Sequence, residues 1–435
     1  MMKRIGLLLG CGFLLFISLN AVFRMKSTED KQNLLIAAAQ EELEKRLPAN
    51  AIKPLTDAAA YNTSRTLDVL LDLKNAYYDL GNGRDYVNLL KKMIARTDCP
   101  VSVYKEYAQY LLERNKLADA FDTLKLGISK TDSQDLINLY EANRYAYTIS
   151  GDVYEDVTEY HNGGIQVKRG ELWGLANAAG TVLIPCEYTQ LSSYDTAGSG
   201  CVIAMKQDKL PVTLNLKNQV IARYGSAVEQ IGNLSQGYVT MQTANGKWIF
   251  ANHKMETSGR EYDALGSFSN GAAAMQVGGK WGVSSMNGEV LVPYEYDAVI
   301  MDETGCCYAQ NAVFVRKGNA VYLFADGTLQ NEAYEDAKPF PASGWAAVKK
   351  NGKWGFINTT GKVEISYLFD DALSFGQHLA AVKQGELWGY AGLDGTVVTE
   401  MVFLQAKSFL NGHAPVLTNR GWQFITLIEY KKGVF

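Results

Sequence analysis

From Tyr154 to the C-terminus, apolar and polar positions alternate with a period of two in short runs, which predicts strands. The runs are separated by turn pairs such as Asn245-Gly246, Gly278-Gly279, Asn287-Gly288, Asp326-Gly327 and Asp394-Gly395. Segment 345–375 is the plainest. Ala346, Ala347 and Val348 with Lys349-Lys350 read as one strand, Asn351-Gly352 as a two-residue hairpin turn with positive φ, and Lys353 to Asn358 as the next strand. Trp354, Phe356 and Asn358 fall on one face of it, Gly355 and Ile357 on the other. A third strand from Lys362 to Ile365 and a coda, Phe369-Asp370-Asp371-Ala372 leading to Phe375, complete a meander of three or four strands.

Between Lys31 and Gly151 the spacing is helical instead. Leu67, Leu70, Leu71, Leu73, Lys74, Ala76 and Tyr77 fit one helix and Asp85 to Ala95 another, with polar breaks at Gly81-Asn82-Gly83 and Arg114-Asn115-Lys116. A shift of 34 residues superposes Leu90 on Leu124, Thr97-Asp98 on Thr131-Asp132 and Ala108 on Ala142. Upstream again, Ile5 to Phe23 is a run of 19 residues without a charge, flanked by Lys3-Arg4 and by Arg24 and Lys26. As a helix it measures about 28 Å, close to the hydrocarbon core of a bilayer. It reads as an uncleaved signal anchor; a cleaved signal and a lipoprotein signal at Leu8-Leu9-Gly10-Cys11 are the alternatives. The flanking charges favour an N-terminus inside, so the body is expected outside the cytoplasm.

The meander recurs. Tryptophans open its second-strand phrase at Trp173, Trp248, Trp281, Trp354, Trp388 and Trp422, and glycine follows directly at Gly174, Gly282, Gly355 and Gly389. Matching Gly327 to Gly361 puts Ala320 at a seventh phrase, and Leu210 takes an eighth, giving intervals of 37, 38, 33, 39, 34, 34 and 34 residues. The residue two positions on is then Leu175, Val212, Phe250, Val283, Tyr322, Phe356, Tyr390 or Phe424, never polar. Such persistence marks a packing position, and a glycine beside it suits a place where neighbouring backbone leaves no room for a Cβ. A fixed period of this length is the mark of a repeat architecture.

Gly352-Lys353-Trp354-Gly355-Phe356-Ile357-Asn358, followed by Gly361-Lys362 and Phe369-Asp370-Asp371-Ala372, resembles the WG-repeat family over about residues 165 to 430. The resemblance implies a β-rich repeat domain and carries no common catalytic residues. Tyr110-Leu111-Leu112 with Ala118, Ala120, Phe121 and Leu124 resembles the tetratricopeptide repeat, which implies a concave surface for a peptide or partner. Glu113-Arg114 depart from its pattern of small residues, and a small helical bundle would share the same faces. The expected chain is therefore α+β and multidomain: a membrane segment over 1–26, a helical module over 27–153 with two hairpin units and a partial third from Asp135 to Ile149, and eight β-repeats over 154–435. Stacked meanders either close into a β-propeller, the favoured reading, or form an open twisted array.

Composition narrows the chemistry. A net charge of -4 offers no basic field for nucleic acid. The six cysteines lack the C-x-x-C spacing of zinc or redox sites; a Cys186 to Cys201 bridge is possible, and the vicinal Cys306-Cys307 pair reads as buried small apolar residues. His161, His253, His378 and His413 are scattered, the latter two expected on solvent-side loops, and no phosphate, nucleotide, calcium or zinc-hydrolase motif is present. Asp370-Asp371 and Glu335-Asp336 recur once per unit, which suits a structural role better than glycoside hydrolysis. No catalytic residue, metal or cofactor is expected. The expected function is a cell-envelope interaction or scaffold protein with a protein partner. A glycan-binding module that uses exposed aromatics comes second, and an enzyme third.

Overall fold

The computed structural model describes residues 28–195, 200–257 and 259–429. Ile5 to Phe23 lies outside them, and among the described residues no helix is long and apolar enough to cross a membrane. The chain divides into two compact units, residues 1–144 and 145–435.

The first unit is helical: α1 (28–44), α2 (Pro48–Ala59), α3 (Thr66–Asp79), α4 (Gly83–Ile94), α5 (Val101–Leu112), α6 (Leu117–Thr131) and α7 (Gln134–Asn143). Local chemistry sets the ends. Pro48 begins α2, where its missing N–H costs no intrahelical bond. The Asn82 side chain caps α4 by accepting from the Asp85 N–H. Asp132, in the left-handed conformation, stops α6. Tyr104, Tyr107, Ala108 and Leu111 of α5 bury against Ala120, Phe121 and Leu124 of α6. One charge is taken inside: Lys74, nearly buried, is bonded to Glu106 at 2.6 Å, and Tyr86 donates to the same carboxylate. The partial third unit expected through Ile149 ends at Asn143, because Tyr147–Ile149 is a strand of the second unit.

That second unit holds eight antiparallel sheets. Most have four strands in meander order, and the first is only two residues long. In blade 6 they are Asp336–Ala337, Trp345–Lys350, Lys353–Asn358 and Val363–Phe369. The coda expected to close each unit therefore opens the next blade: Asp371–Ala372 is the first strand of blade 7. Side chains alternate between the two neighbouring blades. Trp354 and Phe356 pack with Phe375 and Val382 of blade 7, while Ala346, Val348 and Ile357 pack with Phe314 and Leu323 of blade 5.

Seven such interfaces join consecutive blades. An eighth joins the last to the first: Trp422 and Phe424 of blade 8 pack with Val157, Ile165 and Val167 of blade 1. Eight sheets with eight interfaces form a closed eight-bladed β-propeller, not an open array. Its closure is also a matter of pairing. Blade 8 takes its outer strand from Tyr147–Ile149, which pairs with Leu427, Thr426 and Ile425. The ring thus begins upstream of Tyr154, with a strand that carries no repeat phrase.

Candidate binding cleft and the plugged axis

The repeated residues are placed in packing and turn positions. Trp354, Trp388 and Trp422 are buried, and Trp173, Trp248 and Trp281 are partly so. A Cβ on the following glycine would meet the outer strand: 2.5 Å from the Ile184 oxygen at Gly174, 2.7 Å from the Val292 oxygen at Gly282, and 2.7 Å from the Ile365 oxygen at Gly355. At Gly389 it would lie 2.6 Å from the Met401 sulfur. In blades 1, 4 and 6 the outer strand bulges inward at that point. Blade 8 has Gln423 instead, and its amide donates, at 2.6 Å, to the Ser150 oxygen at the end of the outer strand.

The two degenerate phrases are each displaced by one residue from the expected register. Val321, not Ala320, pairs with Tyr334 as Trp354 pairs with Phe369. Pro211, not Leu210, accepts from the Tyr224 N–H at the corresponding place. In blade 5 the cause is the turn. Ala325 pairs directly with Thr328 across Asp326-Gly327, a shorter connection than the one that ends at Gly361, so matching the glycines shifted the strand. The position two after the tryptophan is then Leu323 in blade 5 and Thr213 in blade 2. Thr213 is a polar exception, fully buried, with its hydroxyl bonded to the His253 oxygen at 2.7 Å.

The acidic coda residues act as clips between blades. Asp370 accepts from Lys353 of its own blade and, at 2.8 Å, from the Gly385 N–H of the next hairpin turn. Asp297 does the same with Lys280 and Gly318, and Asp263 with Lys247 and Gly279. The lysine bond, then the amide bond, holds each of the three carboxyls below its ordinary pKa. The cysteines form no bridge among the described residues, so Cys186 and Cys201 are not joined to each other. His378 is exposed, but His413 lies in a strand, half-buried, with Nδ1 2.9 Å from the Thr426 hydroxyl.

Residues far apart in sequence meet where the first strands converge. The connection after the first strand of blade 5, between Val299 and Ala312, is the longest of its kind and crosses the axis. Its Thr304 and Gly305 oxygens accept from the Ser267 hydroxyl and N–H of blade 4, at 2.7 and 2.8 Å. Glu303 is bonded to Lys407 of blade 8, and Cys306 Sγ lies 3.8 Å from His161 Nδ1 of blade 1. This plug explains the long interval before the blade 5 phrase, 40 residues from Trp281 to Val321. Beneath it Glu159 accepts from the Ser408 N–H at 3.2 Å, while its Oε1 has no hydrogen-bond partner and lies 4.0 Å from the Lys407 ammonium. Burial pushes the Glu159 carboxyl up to about 7 and holds His161 below its ordinary value. Burial also pushes the Cys306 thiol up to about 12 and raises Cys307, so both stay neutral thiols. Sequence spacing gave no hint of this convergence.

A second non-repeating feature lies between blades 3 and 4. Blade 3 has three full strands, Val228–Ser235, Tyr238–Thr243 and Trp248–Asn252. Its outer edge is reduced to the bridges Trp248 to Tyr262 and Ala251 to Thr257. Beside that edge is a cleft of about 760 Å³. Its wall is aromatic: Phe250 lies 4.6 Å from Phe268, and Tyr262 and Tyr238 lean on this pair at 6.0 and 5.7 Å between ring centroids. Met275, Met286 and Tyr294 line the blade 4 side, and Arg260 and Glu261 bring one charge of each sign.

A family model for the WG containing repeat matches at residues 173–209, 260–281, 333–354, 354–388 and 388–422. The C-terminal part of the chain carries WG repeats. The matches 354–388 and 388–422 each run from the third strand of one blade to the third strand of the next, half a blade out of phase with the sheets. The WG matches omit 210–259 and 282–332, which hold the displaced phrases, the opened edge of blade 3 and the plug. Among solved structures, the chain is similar to BamB from Moraxella catarrhalis, with 10% identity over 64% of this chain and 99% of that one and a TM-score of 0.43. It is similar also to Hsv2 of Kluyveromyces lactis (10% identity, 62% and 97% covered, TM-score 0.38) and to the Dos1 propeller (9%, 66% and 96%, TM-score 0.41). The propeller assignment rests on the eight interfaces rather than on these likenesses. No curated protein matches the chain.

Proposed function

We propose that the protein is a non-catalytic interaction scaffold of the cell envelope, held by its N-terminal apolar run with the body outside the cytoplasm, and that its partner is another protein. The observation that carries this reading is the division of roles within the ring. Residues that repeat are buried between blades or hold turns, and the ionisable groups of the axis lie beneath a plug that pairs Lys407 with Glu303. Where the repeat breaks, at the outer edge of blade 3, repeat aromatics such as Phe250 and Phe268 are left lining an open cleft with one charge of each sign. A rigid ring with an open cleft suits recognition, because the scaffold fixes the geometry of the site.

The helical unit adds a second surface in this reading. Tyr78, well exposed, leans on Tyr86, which leans on Tyr110, and Arg114 lies 3.6 Å over the Tyr110 ring. Photo-crosslinking from the full-length protein in its native host tests the proposal. A discrete, saturable protein adduct is expected; adducts with glycan alone, or none, would overturn it. Protease digestion of intact cells tests the location, and complete protection of the propeller would sink it.

A further inference from the structure

We propose that the cleft at the outer edge of blade 3 is a docking site for one large apolar side chain, Phe, Leu or Ile, presented by an exposed segment of a partner protein. The inference rests on the scaffold reading and names where and how the partner is held.

The protein's own repeats show what this space takes. In four blades a glycine with positive φ stands seven residues after the tryptophan, in the turn between the third and outer strands: Gly180, Gly288, Gly361 and Gly395, at φ +85°, +86°, +82° and +80°. The turn therefore has one conformation, and what differs is what lies beneath it. A Cβ on Gly180 would fall 2.4 Å from the Phe424 ring of the preceding blade. On Gly395 it would fall 2.9 Å from Ile365, and on Gly361 3.6 Å from Leu323. In each case an apolar side chain fills the space under the turn. At Gly288 the nearest atom is the Arg260 guanidinium, 3.8 Å away.

Two of these fillers, Phe424 and Leu323, stand two residues after the tryptophan position, where blade 3 keeps Phe250; the third, Ile365, stands on the outer strand. Eleven residues after the tryptophan, the outer strand carries Ile184, Val292 and Ile365, all buried. Blade 3 has Gly259 at that position, exposed, with nothing within 4 Å of where its Cβ would be. Blade 3 thus lacks the outer-strand side chain that fills the space under Gly395, and its aromatic wall lines the cleft.

The same observations favour an apolar side chain over a sugar. Deep in the cleft, the polar pair is Ser284 and Tyr294, whose hydroxyls are bonded to each other at 2.7 Å. A buried sugar would need partners for several hydroxyls, and an unpaired one costs more than stacking on a ring recovers. Met275 and Met286, flexible and polarizable, adapt to an inserted ring or branched chain. The opposite charges of Arg260 and Glu261 at the rim suit a peptide backbone without selecting a strongly charged ligand.

The test uses the full-length protein, a phage-displayed library of random peptides, and two tryptophan substitutions at equivalent exposed positions nine residues after their own tryptophans. Val290→Trp would obstruct the cleft; Val363→Trp sits at the same place in blade 6, where the space is already filled. The expected result is a set of peptides sharing a Phe, Leu or Ile. Their affinity should fall at least about tenfold on Val290→Trp or on changing the anchor to Ala, and should be unaffected by Val363→Trp. Peptides that bind Val290→Trp equally well would overturn the docking site and leave the scaffold reading standing. Failure to enrich any peptide would also overturn the docking site, and the scaffold reading would then be decided by the crosslinking experiment alone. Chitotetraose or cellotetraose binding that is abolished by Val290→Trp would overturn it in favour of a glycan.

Discussion

In blade 6 the residue after the tryptophan is Gly355, and the outer strand Val363–Phe369 bulges into the space a side chain would occupy. In blade 3 the same place holds Ile249, buried against blade 2, and the outer strand is reduced to two bridges. The two blades otherwise share the hairpin, the tryptophan, the phenylalanine two residues on and the acidic clip to the next blade. The reduced outer strand alone does not open an interface, because blade 7 keeps Gly389 and its outer edge is likewise only the bridges Trp388 to Phe403 and Ala391 to Val397. What sets blade 3 apart is Gly259, where the apolar contact should be. Variation in a repeat protein reads most clearly where the packing residues themselves have changed.

That contrast predicts unequal losses. Phe356 is fully buried between Phe369 and Phe375, so Phe356→Ala should cost about 3–5 kcal/mol in urea unfolding. Phe250→Ala removes the same ring from a site with open space beside it and should cost at least about 1 kcal/mol less; equal losses would mean that the cleft is closed in solution. Next, Gly355→Ala should cost about 1–3 kcal/mol by forcing the bulge outward. Hydrogen exchange should then show residues 363–369 losing protection toward the level of 257–262. Unchanged protection would sever the proposed link between this glycine and the outer strand.

The axis, shared by all blades, offers a pH-dependent reference. Glu159 titrates near 7 when folded, above its ordinary 4.5, so its contribution to stability is full below pH 4.5 and is lost as the pH rises through 7. Glu159→Gln should therefore flatten the fall in melting temperature between pH 4.5 and 7.5. An unchanged slope would show that this carboxyl is not the group responsible. The smallest effect concerns the clips. Asp370 and Asp263 titrate below their ordinary 3.8, so their contribution is present above that pH and is lost as the pH falls through the folded values. Asp370→Asn and Asp263→Asn should each slightly reduce the melting temperature at pH 5, with the difference from wild type vanishing toward pH 2. A markedly larger effect of Asp263→Asn would imply that its clip alone holds the open edge.

The alternating faces, the turn pairs and the strand around each tryptophan were legible in the sequence, because each is a local property of a few residues. The register of blades 2 and 5 was not. The glycine of a two-residue turn and the glycine of a longer one look alike in sequence, and only pairing between strands shows that Val321 and Pro211 occupy the tryptophan position. The strand Tyr147–Ile149 was hidden for a related reason, since its partner is the far end of the chain and it carries no repeated phrase. The meeting of Glu159, Glu303 and Lys407 depends on ring closure, which brings together residues with no common spacing. The cleft did leave a trace: Trp248 lacks its glycine, and Gly259 stands where other blades have isoleucine or valine.

The pairing of Tyr147–Ile149 with Gly421–Leu427 also bears on the order in which the molecule is made. During synthesis the first of these strands emerges well ahead of its partner, which lies about 280 residues further along the chain. Until then blade 1 presents Val157, Ile165 and Val167 to solvent, and the growing arc has two sticky ends. Each further blade lengthens the loop that must be closed, so the final joining is a slow, long-range event. A nascent chain of this design depends on keeping other nascent chains away until its own last strand arrives.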